Sequence, residues 1–236
     1  LSLRDKYSYD LTTSVLGDQR AKQSADLALT LEVEVKDAKR IASEDIPTDC
    51  SRTVAISPCA WFKLENIYQP RGTQIDAMEE ALAKLVAELR KRELEVLFIP
   101  TMLPEDRETA QRVNARLGPT AAAPILNTEA ITARRLCEII GSLKLIVSFR
   151  MHPALFAIIT GTKVIALNYA PKVESLMKQF SLEQYLITLD ERWNETLLTS
   201  IDRVLLEEYQ FPDRGVLQDL RNKARSGIEN ALTTLS

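Results

Sequence analysis

From Thr53 onward, short apolar runs alternate with amphipathic stretches, which predicts an α/β fold: a doubly wound parallel sheet with helices on both faces. Three observations carry this reading. Residues 95–100, with Val-Leu-Phe-Ile in the middle, are apolar on both faces, as strands are when helices cover both sides of the sheet. Residues 74–92 space Ile75, Met78, Leu82, Leu85, Val86 and Leu89 three and four apart, one helical stripe. The same strand-then-helix order then recurs down the chain.

Taken in order, residues 1–5 read as a strand end and 6–16 as a helix stopped by Gly17. Residues 25–31 read as a short extended segment. Across 32–52 charges alternate, Pro47 interrupts and periodicity fades, which marks a linker. Strands are expected over 54–57, 95–100, 124–126, 145–149 and 164–168, and helices over 74–92 and 106–117. Thr128 is expected to cap a helix running to about Ile140, before Gly141, and 153–160 a helix ended by Gly161. Further helices fit 172–180, 195–208 and 213–235. The domain reading is therefore a tail of one α/β domain over 1–31, a linker over 32–52 and a second domain over 53–236. No repeat or low-complexity tract is visible.

Composition excludes several classes. With 236 residues, 45% hydrophobic, the chain can bury one full core and part of another. The net charge is −3 with both signs scattered, so an electrostatic reader of nucleic acid is excluded. Cys50, Cys59 and Cys137 form no CxxC pair and leave an odd count, which fits a reducing cytosol. The single histidine, His152, excludes a His-rich metal site within this chain. No run approaches the ~18 apolar residues of a membrane span; even 143–169 is broken by Arg150, His152 and Lys163. The opening Leu-Ser-Leu-Arg-Asp is neither a signal nor a transit peptide and reads as part of a longer chain.

In open parallel sheets, ligands bind beyond the carboxyl ends of the strands. The loop after 145–149 carries Arg150, Met151 and His152, with Pro153 expected at the first helical position, where its missing N–H costs nothing. The free amides of that helix start, its dipole and the Arg150 guanidinium suit an anion. His152 suits phosphate donation or proton transfer. The competing reading makes Arg150 a surface charge and His152 a structural residue. The loop after 164–168 carries Tyr169 and Lys172; the latter reads equally as an anion contact or a solvated lysine in a helix's first turn. Trp61 and Phe62, after the first strand, read as packing residues that also suit a cleft wall.

The stretch "SFRMHPALFAIITGTKVIALNYAPKVESLMKQF" resembles the signature of the polysaccharide pyruvyl transferase family, with Arg150, His152, Ala157, Gly161, Tyr169 and Lys172 in register. The opening "LSLRDKYSYDLTTSVLG" and the following "SADLALTL" are similar to a second family stretch, matched at Arg4, Asp5, Ser8 and Asp26. Departures from the pattern are Leu27, Pro153 and Lys163, and Cys59, which stands where relatives often carry a donor-holding arginine; Lys63 is the candidate substitute. The resemblance implies a two-domain GT-B architecture whose Rossmann-like C-terminal domain binds the donor.

It also implies transfer of the pyruvyl group of phosphoenolpyruvate (PEP) to a sugar as a cyclic ketal, with no cofactor beyond that donor and no metal. The acceptor it implies is a surface polysaccharide, cell-wall or exopolysaccharide, or its lipid-linked precursor. The location it implies is cytoplasmic, at the inner face of the membrane where the acceptor is lipid-linked. Arg150 and His152 are the expected catalytic residues, and Arg150, Met151, His152, Lys172, Tyr169, Cys59 and Lys63 the expected donor contacts. Two alternatives stay open. One is a GT-B glycosyltransferase holding a nucleotide-sugar diphosphate with Arg150 and Lys172, for which Glu174 is the only nearby ribose carboxylate. The other is a non-catalytic module that binds an anion or a partner.

Overall fold

Side chains that are apolar on both faces require a strand covered on both sides, and the strands here meet that condition. A computed structural model describes residues 2–4, 6–17, 21–33, 46, 49–60 and 72–235. The main sheet holds β3 (Thr53–Ser57), β4 (Glu95–Phe98), β5 (Leu145–Ser148), β6 (Lys163–Asn168) and β7 (Leu186–Thr188), in the order β4-β3-β5-β6-β7. Every pairing is parallel. Val54 to Ile56, Leu145 to Val147 and Val164 to Leu167 are fully buried and form the centre of the core.

Two strand expectations need correction. Residues 124–126 form only an isolated bridge, Ile125 to Phe98, at the outer edge of β4. Phe98 N donates to Pro124 O and Leu126 N donates to Phe98 O, both at 2.9 Å. Pro124 has no N–H to extend the ladder. Conversely, β7 was not expected, because three residues are too few to show a period. Counting the bridge, the spatial order of the strands by their place in the chain is third, second, first, fourth, fifth, sixth, the doubly wound arrangement.

Helices cover both faces: α2 (Gly72–Lys91), α3 (Glu105–Leu117), α4 (Ala133–Gly141), α5 (Met151–Thr160), α6 (Pro171–Gln179), α7 (Trp193–Leu206) and α8 (Arg214–Leu235). The stripe Met78, Leu82, Leu85, Val86 and Leu89 is buried as its spacing requires. Buried Glu79 clamps α2 to α3, accepting from Arg112 Nε at 2.6 Å and Arg116 Nη2 at 3.1 Å. Thr128 does not cap α4, because its hydroxyl donates to Pro100 O and the chain makes a single 3₁₀ turn there. The cap is Thr132, whose side chain accepts from Arg135 N at 3.2 Å. Pro153 is the third residue of α5, not the first, and its missing N–H is still among the unpaired ones of the first turn. Gly161 ends α5 at φ +74°, a left-handed conformation that favours glycine. Lys163 opens β6 and donates to Val204 O at 2.6 Å, a cation on the last turn of α7.

Before the main sheet, β1 (Ser2–Leu3) and β2 (Lys22–Gln23) form a separate parallel pair around α1 (Lys6–Leu16). Residues 27–30 form a 3₁₀ turn, not extended chain, because the Asp26 carboxylate accepts from Ala28 N at 3.0 Å. The last helix returns to this segment: Arg221 Nε donates to Leu29 O at 3.3 Å, and Arg225 pairs with Glu32 at 2.9 Å.

The short β7 covers β6 only from Ala166 to Asn168. At Val164 the Tyr209 hydroxyl takes the place of a strand, accepting from Val164 N and donating to Val164 O, both at 3.3 Å. Burial pushes the phenol's pKa up, so it stays a donor. Tyr209→Phe should lower unfolding stability by about 1–3 kcal/mol, the cost of leaving buried polar groups unpaired. A fall in the urea midpoint at unchanged slope is the expected result.

Candidate functional site at the switch point of the sheet

The chain runs outward in opposite directions from β3 and β5, so a crevice opens beyond their carboxyl ends. One carboxylate organises the loops there. Asp106, in the first turn of α3 and fully buried, accepts five hydrogen bonds. Ala60 N reaches it from the loop after β3 at 3.1 Å. Thr101 N and Met102 N reach it from the loop after β4 at 3.2 and 2.8 Å. Arg150 reaches it from the loop after β5, through Nε at 3.1 Å and Nη2 at 2.5 Å. A buried charge is tolerable when it is paired and fully hydrogen-bonded, and the helix start adds a favourable dipole.

Arg150 was expected to offer its fork to a ligand anion, but one edge of that fork already belongs to Asp106. The N–H groups not given to Asp106 are those of Nη1 and the second of Nη2. Burial works against the guanidinium charge, and the bonds to Asp106 outweigh it, so its pKa is held above the usual value. Arg150 N–H donates to Ser148 Oγ at 3.2 Å. The amides of Met151 and His152 lie in the first turn of α5, where the helix offers them no carbonyl.

Arg150 and Lys172 both lie against the Tyr169 ring, at 5.9 and 5.5 Å from its centroid. The Tyr169 and Ser57 hydroxyl oxygens are buried with no hydrogen-bond partner among the described residues.

A cavity of about 680 Å³ opens over these residues. Arg150, Met151, His152, Tyr169 and Lys172 line it, together with Arg4 and Asp26 from the head of the chain. His152 is half exposed, with Nε2 3.6 Å from Asp26 Oδ2. Asp26 also accepts from Arg4 Nη1 at 3.1 Å. Burial pushes the Asp26 carboxyl up, but His152, the Ala28 amide and Arg4 outweigh it and hold its pKa below the ordinary 3.8. The stability this contributes is present above that ordinary value and lost as pH falls through the lower, folded value. At neutral pH Asp26 is a carboxylate.

Cys59 sits apart from the described lining residues. It is 1% exposed and lies outside the cavity wall. Burial pushes its thiol up to about 11; Arg150 and Lys172 pull it down and Asp106 pushes it up. At neutral pH it is therefore a thiol. Lys63, Trp61, Phe62 and Asp5 lie outside the described residues. Among the described residues, no three His, Cys, Asp or Glu side chains gather as a metal site. Sequence reasoning missed Asp106, and it named Asp26 and Arg4 only as matched positions.

Fold and site together define an α/β protein with a cationic crevice at the switch point of its sheet. The chain belongs to the polysaccharide pyruvyl transferase family, whose profile it matches over residues 1–171. No curated protein matches it. Among solved structures, it is similar to the glycosyl transferase family 9 protein from Veillonella parvula DSM 2008, at 14% identity and a TM-score of 0.45. That match covers 80% of this chain and 49% of the other, so the chain spans about half the length of that protein.

Asp106→Asn puts an amide opposite the buried Arg150 charge and should cost about 3–5 kcal/mol of stability, read by urea unfolding. All three cysteines are buried, with Cys59 near 11 and Cys137 pushed up by burial to about 12. A thiol reagent at neutral pH should therefore find no fast-reacting group in the native protein and all three cysteines after unfolding.

Proposed function

We propose that this chain is the donor-binding part of a pyruvyl transferase. It moves the pyruvyl group of PEP onto two hydroxyls of one sugar in a surface polysaccharide or its lipid-linked precursor. One observation carries the reading. The two stretches that resemble the family lie at opposite ends of the matched region, and their polar residues Arg4, Asp26, Arg150, His152 and Lys172 line one cavity.

PEP carries a carboxylate and a phosphate, and the cavity offers two kinds of anion contact. Lys172 and the open side of Arg150 supply cations, and the Met151 and His152 amides at the start of α5 supply a helix terminus. His152 is the group placed to move protons. It protonates the PEP methylene carbon, and a sugar hydroxyl adds to the neighbouring carbon and gives up its proton. The C–O bond to phosphate then breaks and phosphate leaves. The second hydroxyl closes the ketal and its proton goes to the phosphate. Two hydroxyl protons leave the sugar, one ending on the new methyl group and one on phosphate, so no further reactant is needed.

The nucleotide-sugar alternative asks for a free carboxylate near Lys172. Glu174 is paired with Lys178 at 2.5 Å and lines a different cavity, with Lys6 and Tyr7. That favours PEP. Action at the cytoplasmic face of a membrane is part of the proposal. Among the described residues no helix is long and apolar enough to cross one.

The test is turnover of PEP by the full-length protein with a glycan acceptor, reading phosphate release against ketal formed. His152→Ala should fold normally and lose ~10²–10⁴ of the rate, the usual contribution of a general acid–base. Lys172→Ala should mainly raise the KM for PEP. Wild-type turnover by His152→Ala, or use of a nucleotide sugar in place of PEP, would overturn the reading.

A further inference from the structure

We propose that Asp26 is a positioning residue that acts through His152: its carboxylate holds the imidazole in place and faces its Nε2. This rests on the pyruvyl-transfer reading and goes beyond it, because the carboxylate comes from the segment before the main sheet. Three observations converge on it.

The first is geometry. Asp26 Oδ2 lies 3.6 Å from His152 Nε2, and both residues line the cavity that holds Arg150 and Lys172. The second is that Asp26 is itself fixed. Its side chain is only 16% exposed, Oδ1 accepts from Ala28 N at 3.0 Å, and Oδ2 accepts from Arg4 at 3.1 Å. A carboxylate tethered from two sides keeps its place as the imidazole changes charge. The third is the composition of the surroundings. Of the charged groups on this cavity, Arg4, Arg150 and Lys172 are cations and Asp26 is the only carboxylate among the described lining residues. An imidazolium formed among three cations has one counter-charge in reach.

The chemistry follows. A carboxylate facing one imidazole nitrogen favours the proton on that nitrogen and stabilises the imidazolium. With Nε2 turned toward Asp26 at 3.6 Å, Nδ1 is the nitrogen left to exchange a proton with the substrate. In one cycle the imidazolium gives its proton to the PEP methylene carbon. It is restored by the proton of the attacking hydroxyl, with Asp26 alongside the charged form at both moments. Arg4 keeps the carboxylate from turning away.

The experiment is a double-mutant cycle in the full-length protein. Asp26→Asn keeps the shape and remains a good capping residue for the turn at Ala28, but removes the charge. It should lower kcat by about tenfold to a hundredfold, a part of the ~10²–10⁴ a general acid–base supplies, with PEP affinity unchanged and the melting temperature lowered only by the loss of the Arg4 ion pair. Asp26→Glu should recover part of the rate. In a His152→Ala background, Asp26→Asn should have no further effect, because residues acting as a unit are not additive. An additive loss, or a change in KM alone, would overturn the assignment.

A readout independent of turnover separates this inference from the reading it rests on. His152 is the only histidine of this sequence, and in the full-length protein its imidazole ¹⁵N signals are identified by their loss in His152→Ala. The neutral ring should carry its proton on Nε2 in the wild type and shift toward Nδ1 in Asp26→Asn. If that shift occurs and PEP is not turned over, the pairing stands and the pyruvyl-transfer reading falls. If PEP is turned over and the tautomer does not respond to Asp26→Asn, the positioning role falls.

Discussion

The carboxylate of Asp106 is the constraint on which the crevice depends. Three loops leave the carboxyl ends of neighbouring strands β3, β4 and β5, and nothing in strand pairing fixes their paths beyond the last ladder bond. Asp106 fixes all three by accepting a backbone amide or a guanidinium from each. The arrangement is mutual. Arg150 is 9% exposed and tolerates burial because of Asp106, while Asp106 is fully buried and tolerates it because its acceptor capacity is filled. The residue that gives the crevice its deepest positive charge is thus also a structural brace, and only part of its fork faces the cavity.

That brace explains what was legible in the sequence. The alternation of strands and helices was readable because burial on both faces leaves uninterrupted apolar runs, as in Val96 to Phe98 and Leu145 to Val147. The Arg150–His152 loop was readable because a strand end followed by a helix start is a known place for ligands. Asp106 was not readable. An acid in the first turn of a helix is ordinary, and its partner Arg150 lies 44 positions away. The Thr128 assignment failed for a related reason: two threonines precede α4, and the tertiary contact to Pro100 decided between them. Strand β7 is too short for periodicity to register, and the strand read at 124–126 is shortened to a bridge because Pro124 has no N–H to extend it.

The site also joins parts of the chain that sequence order keeps apart. Asp26 and Arg4 belong to the small β1–α1–β2 unit and its following turn, His152 and Arg150 to the main sheet. Each half alone has a bland reading: a capped 3₁₀ turn with an ion pair, or a helix start with an arginine. Only their meeting across one cavity puts a carboxylate beside His152 and gathers Arg4, Arg150 and Lys172 on one lining. The departures from the family pattern are absorbed locally. Lys163 reaches a helix end, Pro153 sits among amides that have no helical partner, and Cys59 is buried.

The return of α8 to the head of the chain has a consequence for synthesis. Ser24 Oγ donates to the carbonyl of Lys223, 199 positions later, and Leu29 receives Arg221 from the same helix. Contacts at such separation form late, because the loop between them must be closed first. On the ribosome, the main sheet has all its strands once residue 188 has emerged, whereas the segment bearing Asp26 gains its α8 contacts only when α8 follows. The crevice floor thus precedes the α8 contacts that brace the wall facing it.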